Sequence, residues 1–374
     1  GYQQEGFGYM DMTIDGITRN STYHSYLEPI KHRPNLHIIP DAEVNKIILE
    51  KDGSQLRATG VVYNYDNLNF TKKCNNEVIL SSGSINTPKL LLLSGIGPNL
   101  SKLNIPSFID LPDVGQNLQD HLEIYIQMAS KKPDTLYEYN KPLNKINAGI
   151  DWFMDNQGVC SSNHFEIGGF IRSQAGIKHP DIQYHFLAGA VEKQSDIKAQ
   201  HAFQVHCGTL RPLSRGSIRL KSSNPYHEPI IHPNYLKNYQ DIIDFKNSIN
   251  LTLEILSGNP LKEYIDYFMY PFNDPDKLTD SKLEKIIRRF VESSYHPTST
   301  CAIGKVVDND CLVYGTNNLR IVDASIMPSV VSSNTNGPTI MIAEKASDII
   351  LGNESLPPIN LDYYINPTWK TKQR

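Results

Sequence analysis

The run from Glu77 to Gly97 limits the possible folds more than any other part of this chain. Glu77-Val-Ile-Leu80 reads as a short apolar strand, and Gly83 follows at the turn. A helix is expected from about Asn86 to Ser94, with Pro88 in its first turn and a leucine run from Leu90 to Leu93. Gly95-Ile-Gly97-Pro98 stops it. Glycine permits a tight exit from the strand that a side chain would obstruct. A strand that passes through such a turn into a leucine-rich helix has to bury both, which is α/β construction.

The flanking sequence divides into two kinds of pattern. Ser21 or Thr22 can cap a short helix through Ser25 to Ile30, and Leu36-His-Ile-Ile39 reads as a buried strand. Glu43 to Leu49 alternates like a second strand, and Lys51-Asp-Gly53 turns it into Gly60-Val-Val-Tyr63. In the middle, Ile182-Gln-Tyr-His-Phe186, Phe203-Gln-Val-His-Cys207 and Gly216-Ser-Ile-Arg-Leu220 alternate as half-buried antiparallel strands do. A helix from about Tyr239 to Leu256 carries Ile242, Ile243, Phe245, Ile249 and Leu253 at helical spacing. Short strands and turns return near Val306, before a helix from about Thr339 to Leu351. The expected fold class is therefore α/β plus α+β. Segments 1–122 and 291–352 form one discontinuous domain, 123–290 form an inserted domain on an antiparallel sheet, and 353–374 form a polar surface tail.

Composition excludes several functions. Charged residues make up 20% of the chain and the formal net charge is -4, which argues against binding to nucleic acid or to anionic lipid. No apolar run approaches the roughly 20 residues of a membrane span. Cys74, Cys160, Cys207, Cys301 and Cys311 form no CxxC pair, so neither a metal site nor a dithiol redox centre is expected. Sequons at Asn20, Asn69, Asn99, Asn250 and Asn353 are close to the number chance would give, a weak sign of secretion.

Three stretches carry a resemblance. Gly83-Ser-Ile-Asn-Thr-Pro-Lys-Leu-Leu-Leu-Leu-Ser-Gly-Ile-Gly97 resembles, position for position, the second signature of the glucose-methanol-choline (GMC) oxidoreductases. Asp113-Val-Gly-Gln-Asn-Leu-Gln-Asp-His121 is similar to the family segment that follows that helix. The closing signature is resembled by His296-Pro-Thr-Ser-Thr-Cys-Ala-Ile-Gly304, Leu319 to Pro328 and Ser332 to Thr339. Arg211 to Leu220 and Pro233 to Leu236 look like the family's substrate domain, in wording nearest to the animal glucose-dehydrogenase-like branch.

The resemblance implies a partial FAD-binding, Rossmann-like domain with an inserted substrate domain. It also implies oxidation of a CH–OH group of a small alcohol or sugar, with hydride passing to FAD. His296 falls on the family's catalytic His and Asn334 on its paired position. A hydride leaves an alcohol carbon readily only as the hydroxyl proton leaves, so a base near neutral pKa suits His296. The Asn334 amide suits the developing negative charge on oxygen. Val44 falls where backbone meets adenine, Asp323 and Ala324 against the pyrophosphate, and Tyr295, Thr335 and Asn336 beside the flavin ring. Asp323 could equally cap the next turn. Glu166 is a candidate for the substrate entrance.

One family feature does not occur. The Gly-x-Gly-x-x-Gly turn that holds a pyrophosphate has no counterpart; the nearest run, Gly6-Phe-Gly8-Tyr-Met-Asp11, lacks the third glycine. An amino-terminal FAD-binding segment, as missing sequence or as a separate chain, is therefore the expected partner. An open groove is expected beside Leu36–Ile39 and Arg320–Asp323, with Asp323 at its edge. A lyase of the hydroxynitrile-lyase kind and a truncated non-catalytic relative are the competing readings.

Overall fold

The structure is a computed structural model, and it describes residues 2–191 and 200–373. Arg374, the last residue of the expected tail, and Gly1 lie outside the described residues.

The middle of the chain builds a seven-stranded antiparallel sheet. Its order is Gly6–Tyr9, Ile167–Ile171, Ile182–Leu187, Ala202–Thr209, Leu122–Ser130 and Ile265–Tyr270, with Glu292–Ser293 also paired to Leu122–Ser130. Strict alternation sorts its two faces. Tyr184 stands opposite Cys207, Val205 opposite Ile126 and Cys207 opposite Ile124; all are buried against the helix Tyr239–Ser257 through Ile242, Phe245 and Ile249. The residues between them are polar: Gln183 and His185, Gln204 and His206, and Glu123, Tyr125 and Gln127 all point to the other side. A period-2 pattern thus puts a core on one face and a wall of hydrogen-bonding groups on the other. The strand Gly6–Tyr9 pairs with Ile167–Ile171, so the first residues join this sheet rather than the part to which a boundary at 122 assigns them.

A second core gathers the two ends of the chain. Glu43–Asp52, Gln55–Tyr65 and Leu68–Lys73 form an antiparallel ladder, and Thr316–Asn317 runs parallel to Gln55–Tyr65. Val78–Leu80 pairs in parallel with Leu319–Ile321, 239 to 243 residues apart in sequence by their end positions, and the helix Gly83–Leu93 packs its leucines beneath. That helix begins at Gly83, three residues before the expected start, because Gly83 at φ 76 lets its N–H reach the Asp323 carboxylate. The remaining expected elements occur as Ser217–Arg219, Tyr239–Ser257 and Asn336–Leu351.

Leu36–Ile39 is a correction. It belongs to no ladder among the described residues, and Ile38 and Ile39 are 49% and 46% exposed. Four apolar residues suit a strand, yet a strand exists only where another backbone accepts its hydrogen bonds. The parallel pair is also open on one face, with Ile79 46% exposed where parallel strands are usually covered on both sides. Three α-helices go beyond the sequence expectations, Pro142–Asp155, Leu261–Tyr264 and Asp280–Phe290. The tail does not simply hang in water. The fully buried Arg172 donates to Glu5, just before the first strand, and to the Lys372 carbonyl, so the start of the chain and the tail meet on one guanidinium.

Candidate active site

His296 is positioned by a short segment, Asn117 to His121, that lies just before the central strand Leu122–Ser130. Asp120 is 5% exposed, and its carboxylate accepts from the His296 backbone N–H (2.9 Å), the Tyr235 hydroxyl and the Ser293 hydroxyl. Gln119 and Thr298 exchange backbone hydrogen bonds of 3.2 and 2.8 Å, and the Ser294 N–H donates to the His121 carbonyl. The same segment grips the loop leading to Asn334. Asn117 and Gln119 donate to the Pro328 carbonyl, and the Gln119 side-chain oxygen accepts from the Val330 N–H. Two loops distant in sequence are therefore registered on five residues.

The side chains converge on the polar face of the sheet. Nδ1 of His296 lies 3.0 Å from Nδ1 of His121, with the rings nearly perpendicular at 82°. Asn334 accepts from Gln183 Nε2 at 2.8 Å, and the same amide lies 3.1 Å from Nε2 of His185. Phe165 meets His185 and His206 edge-on, and Tyr125 lies over His206 at 4.2 Å between centroids. Burial holds the His296 imidazole below its ordinary 6.5, against the opposing pull of Asp120 and Glu123. Burial works to raise the Glu123 carboxyl, but His206 against it more than offsets that and leaves it below the usual range. His296 and Asn334 thus hang on one sheet face through His121 and Gln183, without a direct hydrogen bond between them. Asp120, His121, Gln183, Glu123 and His206 were not singled out from sequence. The period-2 polar positions of the strands were the one available signal for the last three.

The expected cofactor positions are arranged less uniformly. Tyr295 is 82% exposed and takes φ 59, a conformation that costs a bulky residue roughly 1–3 kcal/mol and is characteristic of sites. Thr335 precedes the helix Asn336–Leu351 without a side-chain cap, and Asn336 and Gly337 are exposed, so that helix start has unsatisfied N–H groups to offer. Val44 is 39% exposed beside an irregularity in its ladder. These four suit the rim and backbone contacts that a large planar cofactor needs. Asp323 is different. It is 6% exposed, its carboxylate accepts from Gly83 N (3.0 Å), Thr87 Oγ1 (2.6 Å) and Ser325 N (2.7 Å), and it caps the turn Ala324–Ile326. Only backbone, its own and that of half-buried Ala324, is left for a phosphate. Glu166 is half-buried next to Phe165, and accepts from the Ser162 hydroxyl.

One further feature lies apart from this face. A cavity of about 520 Å³, lined by Phe7, Phe186, Phe203, Ile255, Leu261 and Tyr264, lies on the helix side of the sheet. No cluster of three potential metal ligands occurs among the described residues. All five cysteines are free thiols.

Residues 1–123 and 212–343 each match a family model described as GMC oxidoreductase, and the chain belongs to this family of FAD-dependent oxidoreductases. Mitochondrial choline dehydrogenase of Mus musculus is 44% identical over 382 residues, covering 100% of this chain and 63% of that protein. Oxygen-dependent choline dehydrogenase of Brucella ovis is 42% identical over 383 residues, covering 100% of this chain and 68% of its own length. The chain thus spans less than two thirds of the mouse protein. Among solved structures, a formate oxidase of Aspergillus oryzae superposes with a TM-score of 0.85 at 24% identity, over 93% of this chain and 66% of the other. A pyridoxine 4-oxidase from Mesorbium loti gives 0.79 at 23%, over 94% and 65%. Those two similarities speak for the fold. None of these relatives is a glucose dehydrogenase or a lyase, so the expected branch finds no support, and neither does secretion. No described helix is long and apolar enough to cross a membrane.

Proposed function

We propose that this chain carries the base and the substrate wall of an FAD-dependent dehydrogenase for a primary alcohol with a cationic head, of the choline kind. The observation behind this reading is the convergence of His296 and Asn334 on one polar sheet face, reached through His121 and Gln183. FAD, when bound, supplies the hydride acceptor. His296 takes the hydroxyl proton of the alcohol; its depressed affinity for protons keeps it neutral and ready near pH 7. With its oxygen taken by Gln183, the Asn334 amide N–H is free to hold the alcohol oxygen as charge develops. The carbon loses a hydride, the oxygen loses a proton, and an aldehyde remains.

Tyr295, Thr335 and Asn336 would border the flavin ring, Val44 the adenine, and the Asp323–Ala324 backbone the pyrophosphate. Glu123, with Phe165 and Tyr125, makes the same face anionic and aromatic, which favours a quaternary ammonium head. The names of the 44% and 42% identical relatives support that choice.

The test is steady-state kinetics of the full-length protein with choline and with its uncharged isostere 3,3-dimethylbutan-1-ol. A kcat/KM ratio of about tenfold or more for choline is expected from one desolvated cation contact. His296→Ala should lower kcat by about a hundredfold or more at unchanged flavin content. Equal use of the two alcohols removes the cationic substrate, and near-normal turnover of the variant removes the base.

A further inference from the structure

We propose that His121 is a positioning residue that fixes the tautomer of His296, accepting a hydrogen bond from His296 Nδ1–H so that His296 offers its bare Nε2 to the substrate. The inference deepens the reading of His296 as the base and rests on it. The Leu210 carbonyl lies 3.1 Å from Nε2 of His121, so that nitrogen carries a proton and donates. His121 is 4% exposed, and burial, followed by the nearby His296, pushes it down to about 4, so it holds no second proton near neutral pH. The Leu210 and Val331 carbonyls pull the other way without offsetting burial; with its one proton on the Nε2 that faces Leu210, the Nδ1 of His121 is a lone pair. The 3.0 Å contact between the two Nδ1 atoms then needs a hydrogen, and only His296 can supply it.

Two consequences follow for the chemistry. Neutral His296 has its lone pair on Nε2, the nitrogen turned away from His121. When that nitrogen takes the alcohol proton, Nδ1–H still donates to His121, and the positive ring gains a better hydrogen bond than the neutral one had. The proton also stops there. Passing it from Nδ1 to His121 would create a buried cation with no carboxylate on it, since Asp120 is engaged by the His296 backbone, Tyr235 and Ser293. The other titratable groups facing His296 are Glu123 and His185 on the sheet, and neither bonds to Nδ1. The device resembles the carboxylate that orients a catalytic His in hydrolase triads, with a neutral imidazole in its place.

Histidine-selective ¹⁵N NMR of the full-length, FAD-loaded protein reads the tautomer directly, with the His296 signals assigned by their loss in His296→Gln. A protonated Nδ1 and an unprotonated Nε2 are expected. His121→Phe keeps a ring but removes the acceptor. It should shift His296 toward the Nε2–H form and lower kcat by about a hundredfold, with KM little changed and the flavin spectrum retained. His121→Asn, whose Oδ1 can stand where Nδ1 stood, should restore the tautomer and most of the rate. An Nε2–H tautomer in the unmodified protein overturns the proposal, and that result needs no variant to fold. An unchanged tautomer and rate in His121→Phe overturns it as well. Should His296→Ala turn over normally while the Nδ1–H tautomer is seen, the base assignment fails and the tautomer stands.

Discussion

Asp120 is the residue on which the placement of His296 depends. A carboxylate with 5% exposure is tolerable because three donors meet it, and two of them, Ser293 and the His296 N–H, belong to the loop that carries the base. Asp120→Asn keeps the shape but loses the charge and turns one acceptor into a donor facing other donors. It should lower kcat by about tenfold or more and destabilise the fold by roughly 2 kcal/mol. Stopped-flow reduction of the flavin and chemical denaturation would measure the two effects, and no change in either would show the contact to be dispensable. The neighbouring Tyr295 and His296 were legible from the closing signature. Asp120 lies in the family-like stretch Asp113 to His121, but its role is not written there, because a buried carboxylate is recognised by its partners.

At the level of elements, Asp323 does for the helix Gly83–Leu93 what a local cap would do for an isolated helix. Ser82 makes no cap hydrogen bond, and the first N–H is satisfied instead from 240 residues away. The same carboxylate caps Ala324–Ile326. Asp323→Ala therefore removes two helix starts and strands the Thr87 hydroxyl, at an expected cost of about 3 kcal/mol. Thermal unfolding should show it, and a variant as stable as the parent would contradict it. The capping alternative for Asp323 was readable from the sequence, and so was the strand-turn-helix. The fate of Leu36–Ile39 was not, because pairing is a property of two segments. The helix Pro142–Asp155 escaped although Leu143, Ile146, Ile150 and Phe153 recur at helical spacing; these four remain 52 to 76% exposed.

For the whole molecule, the polar face of the sheet links stability to pH. Burial pushes both His121 and His185 down to about 4 from 6.5. Between those limits the unfolded chain binds more protons, so the stability these two contribute is full above pH 6.5 and is lost as pH falls toward 4. Together they are worth on the order of a few kcal/mol. The midpoint of thermal unfolding should fall steadily across that window, and less steeply in His185→Gln; a flat profile would show that the two imidazoles are not held neutral.

Local sequence by itself determined the strand Val78–Leu80, the helix after it, the alternating strands Ile182–Leu187 and Ala202–Thr209 and the helix Tyr239–Ser257, because each is written in spacing that neighbours along the chain enforce. Its wording also determined the family. Only the tertiary structure decided that Gly6–Tyr9 closes the edge of the central sheet and that Leu36–Ile39 pairs with nothing described. It alone brought Asn117 to His121 against two loops some two hundred residues away. Burial and hydrogen-bond partners act across space, so the charge on a carboxylate and the tautomer of an imidazole are settled only when the distant segments meet.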